Sequence, residues 1–290
     1  MFGVLERTAE VRDLSVTDVN LAGADYIGGL AGHNYGVVSS CSTTGVIVGA
    51  KCIGGLIGIN RGRVSHSSSS ATVSGTRDVG GLAGFNRGDL VRCSGQGVVR
   101  GEREVGGLIG YNYRGAISRC ASTASVGGDS YLGGLIGFND CATVHESFST
   151  GSIVCDGSFA GGLIGGNYYG VVADSYSRSS VSGRTIAGFV VQSTGMLDRC
   201  YSCGKLSGDS LPGGLTAFWS GQETDCFWDR QATGASWSTS GTGLNTAQMK
   251  DFFTFLAAGW DFVGESKNGA DDVWIGMIND YPQLRWQHGR

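Results

Sequence analysis

One segment of the 290-residue chain comes close to a metal-dependent protease motif. A helical H-E-x-x-H segment places two imidazoles on one metal ion, and its glutamate acts as general base. The chain has His145 and Glu146, but Ser149 stands where the second histidine is needed, and the local pattern predicts a strand. We therefore expect no metal site here. The remaining histidines occupy unrelated positions: His33, His66 and His288.

Carboxylates are the second group that could do chemistry. Glycan-cleaving enzymes need two carboxyl groups a few ångströms apart on one face. The acidic residues of interest cluster in the turns that precede a recurring Gly-Gly pair: Asp25, Asp78, Glu104, Asp129, Asp156 and Asp209. Their distance from the glycines varies, and most turns offer only one. A solvated acidic edge is the prediction; weak calcium binding and catalysis are the alternatives.

Nine cysteines are the third group, and their spacing lacks the paired C-x-x-C motifs of zinc sites. Five of them instead recur at one position that they share with serine: Cys41, Ser67, Cys93, Cys120, Ser147, Ser175, Cys200 and Cys226. A position that accepts only cysteine or serine indicates a small, inward-facing slot. Stacked parallel side chains rarely meet the dihedral requirement of a disulfide. We therefore predict buried free thiols.

The repeat behind this pattern spans 26 to 28 residues. Its Gly-Gly pair, once replaced by Ala-Gly, begins at these residues: Gly28, Gly54, Gly80, Gly106, Gly133, Gly161, Ala187 and Gly213. The segment 11–23 aligns with 38–50 and is read as the tail of a ninth, incomplete copy. Each copy contains three short stretches of strand character separated by turn residues, with no helical periodicity. Glycine, at 52 residues, and only two prolines fit a folded structure with many turns.

Three short strands per copy predict an all-β fold, a right-handed parallel β-helix of eight to nine coils. Equivalent residues then form rows along its axis. One row is apolar and faces inward: Leu30, Leu56, Leu82, Leu108, Leu135, Leu163, Phe189 and Leu215. Another is polar and lies at a turn, where side-chain amides bond between coils and asparagine tolerates positive φ: Asn34, Asn60, Asn86, Asn112, Asn139 and Asn167.

The pattern changes near the carboxyl terminus. We assign residues 1–226 to the solenoid and 227–290 to a cap, because an open solenoid end must be covered. The cap is predicted to contain one short helix, with Thr246 as its N-cap and Met249, Phe252, Phe253 and Leu256 on one face. Aromatic strands are expected to follow this helix.

Charge and hydropathy exclude several classes of protein. The net charge of −4 gives no general attraction to nucleic acid or to anionic lipid. No apolar run approaches the ~20 residues that span a bilayer. The first residues lack the basic and apolar regions of a signal peptide and resemble the middle of a repeat. The alternatives are a cytoplasmic protein and a piece of a longer polypeptide, and the resemblance of the first residues to the middle of a repeat favours the second.

Two rows of outward-facing residues are the candidate contact surfaces. Arginine and tyrosine stand beside the asparagine row, and both are enriched at binding hot spots. This Arg/Tyr edge consists of Tyr35, Arg61, Arg87, Tyr113, Arg114, Tyr168 and Tyr169. An aromatic column directly follows the Cys/Ser slot: Phe148, Tyr176, Tyr201 and Phe227. It forms an exposed platform if the slot faces inward, and part of the core if the slot faces outward.

The repeated Gly-Gly-Leu-(Ile/Ala)-Gly-x-Asn segment, followed by (Val/Ile)-x-x-(Cys/Ser) and Gly-x-Val-x-Gly, resembles the GLUG-motif repeats. Phe227-Trp228-Asp229 and Tyr281-Pro282-Gln283-Leu284 are similar to segments that close such arrays. GLUG repeats occur as non-catalytic parts of large secreted or surface bacterial proteins, including filamentous-haemagglutinin-like adhesins.

The resemblance implies an extracellular structural or adhesive module but does not identify a ligand. From the residues we expect no catalytic site, cofactor or metal, and a glycan or a cell-surface protein as the partner. A polysaccharide lyase or hydrolase is the alternative. An ice-binding face would need in-register Thr-x-Thr ranks, which the sequence lacks.

Overall fold

The repeats stack along one axis in the computed structural model of the protein, which describes residues 1–208 and 212–289. The chain winds into about nine coils, and three parallel sheets run along the resulting solenoid. Each coil contributes one strand to the first sheet, one to the second and shorter pieces to the third. The predicted all-β solenoid of eight to nine coils is confirmed, and its right-handed sense stays a prediction.

The strands of the three sheets have the following bounds. The first sheet contains Phe2–Leu5, Ala31–Asn34, Ile57–Asn60, Ala83–Asn86, Ile109–Tyr113, Ile136–Asp140, Ile164–Tyr168, Val190–Ser193 and Thr216–Trp219, which define coils one to nine. The second contains Glu10–Arg12, Val37–Ser39, Arg63–Ser65, Asp89–Val91, Ala116–Ser118, Thr143–His145, Val171–Ala173, Met196–Asp198 and Gln222–Thr224. The third contains Ser15–Ala22, Asp25–Gly28, Ser42–Val48, Lys51–Gly54, Ser68–Ser69, Thr72–Ser74, Arg77–Gly80, Ser94–Gly95, Val98–Gly106, Ala121–Ser122, Ser125–Gly133, Phe148–Ser149, Ser152–Gly161, Tyr176–Ser177, Ser180–Gly183, Ile186–Ala187, Tyr201–Ser202, Leu206–Gly208, Phe227–Asp229 and Thr242–Leu244.

Equivalent residues pair directly from one coil to the next. Ala31 pairs with Ile57, which pairs with Ala83, and the same register holds through the first sheet. This register places the leucines of the Gly-Gly segment in one continuous row at the centre of the solenoid, with relative exposures of 0–1%. Because a single coil cannot enclose these side chains, the apolar core exists only in the stack.

A buried row of amides lies where the first sheet ends. Asn34 donates from Nδ2 to Oδ1 of Asn60 at 2.8 Å, and the same 2.8 Å bond joins each asparagine to the next as far as Asn167. Asn167 then donates to the hydroxyl of Ser193. All six asparagines are fully buried. Each therefore satisfies its neighbour in a region that water does not reach.

The left-handed corners lie elsewhere than expected. None of the six asparagines has positive φ; positive φ falls on the residue before the Cys/Ser slot, on the residue two before the Gly-Gly pair and, at Arg114, Cys141 and Tyr169, on the residue two after the asparagine. In the first of these rows φ lies between 45° and 54°: Ser40, His66, Arg92, Arg119, Glu146, Asp174, Arg199 and Asp225. The asparagine side chain thus serves as a hydrogen-bonding group and not as a left-handed turn residue.

The Cys/Ser slot faces inward, and hydrogen bonding explains its restricted composition. Each residue of the slot is buried. Ser67 donates to the carbonyl of Ser65 and accepts from the amide of Cys41 in the preceding coil. Cys120 donates to the carbonyl of Ser118 and accepts from the amide of Cys93. Only a short side chain that both donates and accepts fits this corner. All nine cysteines are free thiols.

The C-terminal part contains more helix than the sequence predicts. Three α-helices span Arg230–Thr233, Thr246–Lys250 and Phe252–Ala257, and a 3-10 turn spans Arg285–His288. Asn245, not Thr246, is the N-cap, since its side chain accepts from the Gln248 amide. Asp251 is extended and ends the second helix while it caps the third. This break moves Phe255 to the buried side and leaves Phe253 62% exposed.

Residues 245–288 lie against the side of the solenoid and not over its end. The end of the core is closed by Trp228 and Ala235, which join the central apolar cluster. Parallel pairing continues past Cys226, because Phe227–Asp229 pairs with Tyr201–Ser202 and with Thr242–Leu244. An antiparallel pair of strands, Trp274–Ile275 with Gln283–Leu284, belongs to the lateral segment.

We predict that Asn112→Ala lowers the free energy of unfolding by about 2–4 kcal/mol, since it leaves Asn86 Nδ2 and Asn139 Oδ1 without their 2.8 Å partner. Asn34→Ala is the matched control, because Asn34 opens the row and bonds to one asparagine only. Urea unfolding followed by circular dichroism should show a clearly smaller loss for Asn34→Ala. Equal losses would contradict a cooperative buried row.

Candidate functional site

The aromatic column points away from the core but is not exposed. Tyr176, Tyr201 and Phe227 have relative exposures of 2%, 0% and 8%, and with Phe148 they belong to a second apolar cluster. The rest of this cluster comes from the lateral C-terminal segment, including Phe255, Trp260 and Trp274. The expectation of an open platform is therefore wrong, because the chain covers these four residues itself.

Arg178 holds the lateral segment in place. Its guanidinium donates to the Asp280 carboxylate at 3.1 Å and to the carbonyl of Tyr281 at 3.1 Å. It also lies over the rings of Tyr176 and Tyr281, with 5.5 and 5.2 Å to the ring centroids. The Tyr201 hydroxyl donates to the carbonyl of Pro282 at 2.7 Å. Polar anchoring thus accompanies the apolar contact.

A network of charged residues lies at the corner beside this interface. Arg119 makes a two-pronged contact with Glu146, and Arg199 makes one with Asp174. His145 lies between the two carboxylates, 3.4 Å from Glu146 and 3.1 Å from Asp174. The network spans coils five to eight.

The lateral segment contacts the same corner through two indole nitrogens. Trp274 Nε1 donates to Asp174 at 3.3 Å, and Trp286 Nε1 donates to the carbonyl of Glu146 at 2.8 Å. The His145-Glu146 pair that resembles a protease motif is therefore part of an ion-pair network between coils.

The arginines of the Arg/Tyr edge are exposed, and those of its basic part, from Tyr35 to Arg114, contact tyrosine rings. Arg61 lies over the ring of Tyr35 at 5.4 Å. Arg87 and Arg114 lie 5.5 and 5.1 Å from the centroid of Tyr113. These cation–π contacts hold the guanidinium groups close to the surface.

The edge then changes character. Asp140 pairs with Tyr113 on one side and with Tyr168 on the other, so a carboxylate separates the basic part from the tyrosine part. Tyr168 and Tyr169 pack edge to face, and Tyr169 is 71% exposed. The structure thus brings Tyr35, Arg61, Arg87, Tyr113 and Arg114 together but not with Tyr168 and Tyr169. A binding role for either part stays a prediction.

A row of stacked rings on the outer face of the first sheet was missed by the sequence reasoning. Phe85, Tyr111 and Phe138 stack with centroid distances of 5.6 and 5.4 Å, and Tyr168 continues the row at 5.5 Å from Phe138. Three of them immediately precede the asparagine row, so the aligned repeats contain the signal. Because the rings face one another, mainly their edges meet solvent.

The acidic residues before the Gly-Gly pairs divide into two groups. Asp25, Asp129 and Asp156 are exposed, as a solvated edge requires. Asp78 and Glu104 instead share one row, are 4% exposed, and lie 3.8 and 3.2 Å from Nε of Arg77. Burial raises the pKa of both carboxyl groups, against the attraction of Arg77. Asp209 lies outside the described residues.

The described residues contain neither a metal-binding cluster nor a helix suited to cross a membrane. Within residues 1–208 and 212–289, histidine, cysteine, aspartate and glutamate form no group of three or more that could hold a metal ion. None of the helices in these ranges has the length and apolar character that a membrane crossing requires.

We predict that the His145 network makes stability depend on pH. Hydrogen bonds to Asp174 and Glu146 raise the pKa of His145 to about 9. Although burial favours their protonated forms, bonds from His145 and arginine lower the pKa of both carboxyl groups. Protonated His145 therefore stabilises the fold fully below its unfolded pKa of about 6.5, and this contribution disappears as pH rises through about 9. The carboxylate contribution is lost towards acid pH.

Thermal unfolding of the wild type should show a midpoint that falls between pH 6.5 and 9, and His145→Gln should remove that fall. His66→Gln is the control, since His66 is exposed at the equivalent region of an earlier coil and forms no ion pair among the described residues. A wild-type slope in His145→Gln would count against the network.

We also predict that Arg178→Ala loosens the lateral segment, with a loss of about 2 kcal/mol from charge-assisted hydrogen bonds. Chymotrypsin should then cleave residues 255–286 faster, and the exposed aromatic column should bind a hydrophobic dye. Arg92→Ala, which removes an exposed arginine that forms no ion pair among the described residues, should leave both readouts unchanged. Identical cleavage rates in Arg178→Ala and wild type would exclude this anchoring role.

Comparison with known proteins identifies the repeat. The family model described as the GLUG motif matches residues 49–74 and 101–127. These segments run from the end of the third-sheet strand of one coil through the Gly-Gly pair and the asparagine row to the equivalent point of the next coil. No curated protein and no solved structure matches the chain. Two of the repeats in this β-solenoid are therefore GLUG motifs.

Proposed function

We propose that the chain is a non-enzymatic module of a larger bacterial surface or secreted protein, and that it presents one regular face of the solenoid to a glycan or protein partner. The GLUG motif supports this role through the non-catalytic repeats that it resembles. Nine coils with a rise of ~4.8 Å give a rod about 40 Å long, which can hold a contact surface at a fixed distance.

The observation that carries the proposal is the basic part of the Arg/Tyr edge. Its arginines are exposed at one corner of successive coils, and the cation–π contacts with Tyr35 and Tyr113 orient them. Preoriented side chains lose less conformational entropy when a ligand binds. Arginine and tyrosine are also the residue types that contribute most at interfaces.

A glycan-cleaving enzyme finds less support. One in-register carboxylate pair, Asp78 and Glu104, is almost fully buried and shares the guanidinium of Arg77. The other close pair, Glu146 and Asp174, is occupied by His145 and two arginines. In both pairs the carboxylates are held by arginine or histidine, so neither pair offers a free acid and base to a glycosidic bond.

We predict that the purified chain binds to a subset of a mixed array of neutral glycans, acidic glycans and extracellular matrix proteins. Tyr113→Ala/Arg114→Ala should weaken that binding at least about fivefold, since it removes two hot-spot side chains from the exposed corner. Arg100→Ala/Val154→Ala is the matched control on the outer face of the third sheet, where both residues are exposed.

Two results would contradict the proposed function. One is equal binding by the edge variant, the control variant and the wild type. The other is release of reducing or unsaturated products from polysaccharides under multiple-turnover conditions, measured with the same preparation.

A further inference from the structure

Five exposed arginines of coils three to five form no ion pair in the described part of the chain. We call the surface that they share the basic face; it consists of Arg61, Arg63, Arg87, Arg92 and Arg114. In the row that contains Arg92, Arg119 of coil five and Arg199 of coil eight are each paired with a carboxylate. Arg77 and Arg103, outside this face, are paired as well. The basic face is therefore a group of five neighbouring arginines whose charge no carboxylate of the described residues pairs.

The three parts of the basic face surround one short strand. Arg61, Arg87 and Arg114 lie at the corner that follows the first sheet. Arg63 begins a strand of the second sheet, and Arg92 lies at the next corner. Because each of these strands has three residues, the face is about 10 Å wide, and successive coils add ~4.8 Å each along the axis.

Local charge contrasts with the net charge of the chain. In register with Arg63 stands Asp89, the single carboxylate of the second-sheet strands in coils three and four. The five arginines and this one carboxylate give a local excess of four positive charges, whereas the whole chain carries −4. Glu10, in the first coil of the same sheet, is taken up by Arg12. Such a local excess attracts an anionic partner although the chain as a whole is acidic.

We propose that the basic face binds an acidic polysaccharide, a glycan chain that carries carboxylate or sulfate groups; this inference rests on the proposed function and names its ligand class. The guanidinium group binds carboxylate and sulfate oxygens in pairs. Three coils present such groups at regular intervals along the axis, so a polymer with repeated anionic groups gains from several contacts at once. A single small anion would use only one of them.

The aromatic residues favour a glycan over a single-stranded nucleic acid. Binding of unpaired bases depends on aromatic faces that are free to stack. Here the rings of Phe85, Tyr111 and Phe138 stack on one another, and the rings of Tyr35 and Tyr113 are covered by arginine. The Tyr113 hydroxyl is a partner for sugar hydroxyls, and the Tyr35 hydroxyl, which accepts from Arg61, can still donate to one.

The test uses the full chain and three fluorescent probes: a heparin-derived dodecasaccharide, a polygalacturonate oligomer and a neutral dextran of similar length. Fluorescence anisotropy is recorded at low and at physiological salt. We expect binding of at least one acidic probe, no binding of dextran, and weaker binding at higher salt because the charges are screened.

Arg61→Gln/Arg87→Gln should weaken that binding about tenfold or more, since two charge-assisted contacts are lost. Arg7→Gln/Arg100→Gln removes the same charge from exposed positions outside the face and should change affinity less than about twofold. Lysine at positions 61 and 87 should restore only part of the affinity, because an ammonium group cannot form the paired contact.

Several outcomes overturn the inference. The inference is wrong if neither acidic probe binds. If the array then shows binding to a neutral glycan or a protein, the proposed function still holds but the ligand is not an acidic polysaccharide. Tighter binding of a single-stranded or duplex DNA of equal length assigns the face to nucleic acid. Equal losses of affinity in Arg61→Gln/Arg87→Gln and Arg7→Gln/Arg100→Gln would show that the polysaccharide does not bind at the basic face. If gel filtration shows self-association that only Arg61→Gln/Arg87→Gln abolishes, and no probe binds, the face joins copies of the chain.

Discussion

The structure depends on one constraint: the buried polar side chains of each coil complete their hydrogen bonds in the coil above and the coil below. The asparagine row expresses it most directly. Each buried amide accepts from one neighbour and donates to the next at 2.8 Å. A different side chain at one coil would leave two neighbours unsatisfied in a region closed to water. In the slot, the serine hydroxyl or cysteine thiol of one coil likewise accepts a hydrogen bond from a backbone amide of the preceding coil. Residue identity is therefore fixed along inner rows of the solenoid.

Outer rows are free from this constraint, and the coils use them differently. Coils three to five carry the basic face. Coils five to eight carry paired charges around His145, and coils six to nine carry the aromatic column that the lateral segment covers. A solenoid thus combines a uniform interior with an exterior divided along its axis. The covered column stabilises the C-terminal half, whereas the basic face leaves charge available for a partner.

Much of the interior could be predicted from the sequence because every inner row repeats. The leucine row, the asparagine row and the Cys/Ser slot can all be read from aligned copies. The cover over Tyr176 and Tyr201 could not, since residues 245–288 do not repeat and their docking depends on contacts such as Arg178 with Asp280. The left-handed residues were also missed: the side chains at these corners vary from serine to arginine, so composition gives no signal. The stacked rings at Phe85 and Tyr111 were detectable in the alignment, but other coils have histidine, isoleucine or glycine at the position before the asparagine.

Hydrogen–deuterium exchange of the intact chain, followed by mass spectrometry and resolved coil by coil, tests most directly whether stacking holds the molecule together. If it does, the buried polar side chains depend on hydrogen bonds to adjacent coils. Amides in the corners after Asn60, Asn86, Asn112 and Asn139 should then exchange slowly and at closely similar rates, because these coils open together. Rates that differ widely between these coils, with fast exchange at one corner and slow exchange at its neighbours, would show that the coils are stable independently and would contradict the account.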